Sequence, residues 1–95
     1  MVIRVRDIVA GANTADQGAQ VFRLLHEALQ KEGAVVLSFD SVQTATSSFV
    51  NAAFVELLKD FSYGDLKARL RVISSTRQIN EMIKMRLEHS AGIPA

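Results

Sequence analysis

Residues 34–39 (AVVLSF) constrain the fold more than any other stretch, because they are short, β-branched and apolar on both parities. That pattern describes the central strand of a small sheet, flanked on both sides. Two further strands are expected around it. Residues 2–6 alternate Ile3 and Val5 with Arg4 and Arg6, and residues 68–74 (ARLRVIS) alternate Leu70 and Val72 with Arg69 and Arg71. A period of two sets an apolar face against an arginine face in each. Ile8 and Val9 either extend the first strand past a kink or begin another, before the breaker run 10–13.

Helical periods fill the intervals. Thr14 and Gln17 have capping-box spacing, and Val21, Phe22, Leu25, Ala28 and Leu29 recur on one face until Gly33, so the first helix is expected over 15–32. From Phe49, the residues Val50, Phe54, Leu57, Leu58 and Phe61 share a second helical face that stops at Tyr63, Gly64 and Asp65. Ser75 and Gln78 repeat the capping-box spacing ahead of Ile79, Met82, Ile83 and Leu87, giving a last helix that ends near His89. At this spacing Met82, Met85, Phe54 and Phe61 read as packing residues rather than a ligand box.

The order is βαβαβα, an α/β fold in which helical crossovers join parallel strands with right-handed connections. If winding continues in one direction, all three helices lie on one face of a small, mainly parallel sheet. Arg4, Arg6, Arg69 and Arg71 then share the open face, which a doubly wound arrangement would bury.

The chain has 95 residues, enough for one domain over 1–95 with a loose tail at 91–95. Its 48% hydrophobic and 22% charged composition is that of a folded domain. Cysteine is absent, which removes disulfides, thiolate catalysis and cysteine-based zinc sites. No apolar run approaches the roughly 20 residues that span a bilayer and no secretory signal opens the chain, so a cytoplasmic location is expected. His26 and His89 fall on different helices without ligand spacing to carboxylates, and no dinucleotide, Walker-type or nucleophile-elbow motif occurs. The expectation is a protein without metal, cofactor or catalysis of its own.

Thr44, Thr46, Ser47 and Ser48 place several hydroxyls between the carboxyl end of the central strand and the second helix. Open α/β sheets bind ligands outside the carboxyl ends of their strands, and helix starts carry unpaired amides. A plain helix N-cap would draw on the same residue types.

Residues 36–50 (VLSFDSVQTATSSFV) resemble the central segment of STAS domains, the fold of bacterial anti-sigma-factor antagonists, in which a strand leads into an Asp-Ser-Ser-Gly-Leu helix start. Along that pattern Thr46 takes the Asp position, Ser47 the phosphorylated serine, Ser48 the second serine, Phe49 the glycine and Val50 the leucine. The aspartate and glycine are thus replaced, and the amino-terminal strand region is shorter. The Thr-Ser-Ser-Phe motif, Asn51 after it, and Gln17-Gly18 in the first helix resemble the divergent branch of STAS-like domains of unknown function. The resemblance implies a signalling module in transcription regulation that docks on a histidine-kinase-like ATPase or helix-turn-helix regulator. The implied contacts are Thr44, Thr46, Ser47, Ser48, Phe49 and Asn51, with Ser47 as candidate phospho-acceptor.

A second class of function uses the basic face formed by Arg4, Arg6, Arg69 and Arg71, for nucleic-acid phosphates or for a homodimer contact, with Lys67 and Arg77 at its margin. No Tyr or Phe alternates with these arginines, and a net charge of +1 gives no general basic field, so a solvated sheet face is the plainer reading.

Overall fold

The computed structural model describes residues 2–31 and 33–92. Strands β1 (Val2–Arg4), β2 (Val35–Ser38) and β3 (Leu70–Ile73) form a parallel sheet in the order β1-β2-β3. Helices α1 (Val5–Ile8), α2 (Ala15–Leu29), α3 (Ser47–Ala53), a 3-10 helix (Val55–Lys59), α4 (Tyr63–Arg69) and α5 (Arg77–Ser90) complete the fold. Among the described residues no helix is long and apolar enough to cross a membrane.

Register decides what each face of the sheet carries. Ile3, Leu37 and Val72 align across the three strands, and Val35 aligns with Leu70; this row faces the helices. On that side α2 packs against α3, and α3 against α5. The core closes around Phe39, Phe49 and Phe54, all fully buried, with Phe39 at 6.4 Å ring-to-ring from both of the others. The opposite face carries Val2, Val36 and Arg71 in one row and Arg4, Ser38 and Ile73 in the next. Helices on one side of a three-stranded parallel sheet are the architecture that the alternation of periods implies.

Four expectations are corrected. The first strand stops at Arg4, and Val5 to Ile8 form a helical turn, because Val5 and Val9, four residues apart, are both buried. Ile8 and Val9 therefore neither extend that strand nor begin another. The second helical segment tightens to 3-10 geometry after Phe54, and Tyr63 starts a further helix, α4, capped by the Ser62 side chain, which accepts from the Asp65 amide. Its last residue is Arg69, so the strand begins at Leu70 and not at Ala68. The cap of α5 is Thr76, one residue later than expected, accepting from the Ile79 amide.

Helix α2 carries its expected capping box, with the Gln17 amide donating to Thr14 Oγ1 and the Thr14 amide to Gln17 Oε1, both at 3.1 Å. It ends at Leu29, with Gln30 as its C-cap; Glu32, where the expected helix ended, lies outside the described residues. Gly33, at φ 103°, turns the chain toward β2, a conformation that L side chains resist. Of the expected loose tail, Ala91 and Gly92 form a turn after α5, and 93–95 lie outside the described residues.

Candidate functional site

The hydroxyl-bearing segment follows β2 through a loop that is fixed at three points. The side-chain amide of Gln78 makes a two-way pair with the Ala45 backbone, accepting from its N–H and donating to its carbonyl, each at 3.0 Å. Thr76 Oγ1 donates to the Gln43 carbonyl at 2.9 Å. The Thr46 amide donates to the Ala12 carbonyl at 3.0 Å, tying the loop to the segment before α2. Gln78 is therefore a loop clamp and not the capping-box partner its spacing suggests.

Thr46 uses its hydroxyl twice. Oγ1 donates to the Asn13 carbonyl at 2.8 Å and accepts from the Phe49 amide at 3.2 Å, so it joins two loops while capping α3. Ser47 and Ser48 then sit on the first turn of α3 and are exposed, as is Thr44 in the loop. Phe49 turns inward and is fully buried against Phe39. Its assignment as a partner contact is corrected: a ring with no accessible surface cannot be read from outside. Asn51 is half-buried, and its Oδ1 accepts from Arg86 Nε of α5 at 3.0 Å.

An open groove of about 820 Å³ runs beside these residues. Ala15, Ala19 and Phe22 of α2 and Ala52 and Val55 on the α3 side supply its apolar lining, and Ser48, Asn51, Arg86, Glu56 and Asp60 its polar groups. At the Asp60 end, His26 Nε2 lies 2.8 Å from Asp60 Oδ2, and its ring is flanked by Phe22 and Phe61 at 5.4 and 5.6 Å. A proton on Nε2 satisfies that contact and leaves Nδ1 to accept from Gln30. Residues 26 and 60 are too far apart in sequence for spacing to reveal the pair. Arg86 was equally hidden, being one of several basic residues on an amphipathic helix. Among the described residues no cluster of three His, Cys, Asp or Glu side chains could hold a metal ion.

The structure does not assemble the four-arginine face. Arg6 leaves the sheet on α1, where its Nη1 donates to the Ser41 carbonyl at 3.3 Å. Arg69 ends α4 and turns its guanidinium to the chain after α2, donating to the carbonyls of Leu29 at 2.8 Å, Gly33 at 3.1 Å and Lys31. Only Arg4 and Arg71 remain on the open face, and Arg4 pairs with Asp40 at 2.9 Å. Both failures have one cause: each strand is shorter than the alternation, and the flanking arginine falls in helix, where a period of two has no meaning.

A family model described as a STAS-like domain of unknown function (DUF4325) matches residues 17–80, about two thirds of the chain. The match includes Gln17, Gly18, the hydroxyl segment and Gln78. No curated protein and no solved structure matches the chain.

Proposed function

This chain belongs to the family of STAS-like domains of unknown function, and on that footing we propose that it is a regulatory protein-interaction module, docking a partner through Thr44, Ser47, Ser48 and the groove beside them. The observation that carries this reading is the contrast along five residues. Ala45 and Thr46 are clamped from two other segments, Phe49 is anchored in the core, and the two serines between them are held out to solvent. A rigid frame presenting adaptable hydroxyls next to an apolar groove lowers the ordering cost of a protein contact.

The partner in this reading is a histidine-kinase-like ATPase or the helix-turn-helix regulator that accompanies it, and Ser47 is the switch. Ser47 Oγ attacks the γ-phosphorus of ATP held by the partner, the bond to the β,γ-bridging oxygen breaks, ADP leaves, and the hydroxyl proton passes to a base of the partner. The product places a charge of roughly −1.5 to −2 on the first turn of α3, changing the contact surface without touching the core.

Incubation with an active ATPase of this type and ATP, followed by mass mapping, tests the switch. One phosphate on Ser47, absent from Ser47→Ala, supports it. Turnover of a control substrate with Ser47 unmodified overturns it. Failure of the purified chain to form a complex with such an ATPase, with or without nucleotide, overturns the docking itself.

A further inference from the structure

We propose that the chain pairs with a second copy of itself along the free edge of β1, joining two three-stranded sheets into one of six strands with the C-terminal ends of the two α2 helices side by side. This inference does not depend on the docking reading above, which uses α3 and the N-terminal half of α2.

Among the described residues, strand β1 has a hydrogen-bonded neighbour only on its β2 side. Beside its free edge is a concavity of about 270 Å³ lined by Val2 and Ile3 of the strand, Leu24, Glu27 and Ala28 of α2, and Lys31 just beyond it. Two of these are large apolar side chains left open, Val2 at 62% exposure and Leu24 at 42%. An unpaired edge beside exposed aliphatic groups invites strand addition, and neither proline nor an inward-pointing charge blunts this one.

Geometry and charge both point to a second copy. A twofold axis normal to the sheet at the β1 edge makes β1 antiparallel to its counterpart and keeps all helices on one face. Strands in a sheet lie about 4.8 Å apart, so a crossover helix centred over the β1–β2 pair lies about one strand spacing from that axis. The C-terminal turns of the two α2 helices then pass antiparallel at about 10 Å, the separation of packed helices. Glu27 and Lys31, four residues apart and both exposed, become self-complementary in that arrangement, Glu27 of each copy meeting Lys31 of the other. The groove beside the other edge strand, β3, is lined by Lys67 and Lys84 and, among the described residues, by no carboxylate, so a second copy would meet like charge there.

Sedimentation equilibrium on the whole chain at rising concentration tests the proposal. The expected result is a monomer–dimer equilibrium whose dissociation constant rises at least about tenfold in Leu24→Asp and in Glu27→Lys. Because Leu24 and Glu27 are exposed, circular dichroism should show both variants folded. The discriminating measurement mixes Glu27→Lys with Lys31→Glu. Each alone sets like charges across the axis, whereas the mixture restores both ion pairs and should dimerise again. A chain that stays monomeric at all concentrations overturns the proposal. So does a dimer that survives Leu24→Asp but is lost in Arg71→Glu, which would place the contact on the open sheet face. Single variants that weaken the dimer without recovery on mixing overturn the charge pairing and with it this register.

Discussion

Gly18 lies so close to α3 that a Cβ placed on it would stand 2.4 Å from the carbonyl oxygen of Phe49 and 2.8 Å from Cβ of Ala52. Glycine here sets the distance between α2 and α3, and through Phe49 it sets the position of the helix that carries Ser47. In an exposed helix, Gly→Ala stabilises by about 1 kcal/mol. Here the obstructing atom is backbone and cannot rotate away, so the helices must separate. Gly18→Ala should therefore lower stability by about 2 kcal/mol, read as a reduced urea midpoint at unchanged slope. A rise in midpoint would show that the helices are less tightly apposed than described.

Thr46 is both donor and acceptor, which distinguishes it from the aspartate that stands at the aligned position in the STAS pattern. Thr46→Ser keeps both roles and should be near neutral. Thr46→Ala loses the cap and the bond to the Asn13 carbonyl, costing about 1–2 kcal/mol. Thr46→Asp is the sharper variant. Its carboxylate can accept from the Phe49 amide, yet it has no proton for the Asn13 carbonyl and sets charge against that oxygen. It should be less stable than Thr46→Ser by about 1 kcal/mol although aspartate is a favoured cap. Ser47→Ala, on the same turn but exposed, should leave the denaturation curve where it is.

What could be read in the sequence follows from the range of the interaction responsible. The central strand, the capping box of Thr14 and Gln17, and the apolar faces of α2 and α5 are local patterns, and all four appear in the structure. The exposed Ser47 and Ser48 follow from the position of the α3 cap. The residues that hold the loop in place act at a distance of more than thirty positions: Gln78 with Ala45, Thr46 with Asn13, Arg86 with Asn51. Spacing carries no trace of them. Gln78 was the most misleading, since glutamine three residues after a serine fits a capping box and the side chain is used elsewhere. Arginine at alternate positions misled in the same way, because alternation marks a strand only within its ends.

Arg69 shows what its alternation concealed. Its guanidinium gathers the carbonyl of Leu29, the last residue of α2 and one of those a helix leaves without an intrahelical donor, together with the carbonyls of Lys31 and Gly33 in the chain beyond it. Arg69→Ala should cost about 2 kcal/mol. Lysine offers one ammonium in place of a planar fork and cannot span three carbonyls, so Arg69→Lys should recover only part of that loss. Hydrogen exchange at the end of α2 would locate the effect, with faster exchange there than in α5. Equal exchange in both helices would mean that the contact is not what secures the helix end.

Tyr63 gives the fold a pH dependence of definite sign. Its hydroxyl donates to Glu88 Oε2 at 3.3 Å, and burial first, then the Glu88 charge and that hydrogen bond, hold its pKa above the ordinary 10.0. Between 10.0 and the raised value the folded chain keeps a proton that the unfolded chain has lost. Native stability must therefore fall as pH rises through that window, and below it Tyr63 contributes a constant amount. The chain has one tyrosine and no tryptophan, so tyrosinate absorbance reports this group alone. Its midpoint in the native protein should lie above 10.0 and relax to that value in denaturant. Glu88→Gln removes the charge and keeps an acceptor, and should bring the native midpoint down without restoring it fully, because burial is the larger cause. Tyr63→Phe should flatten the stability difference between neutral and alkaline pH relative to the natural chain. An unshifted native midpoint would mean that the ring at the start of α4 is open to water and that the contact with α5 does not hold in solution.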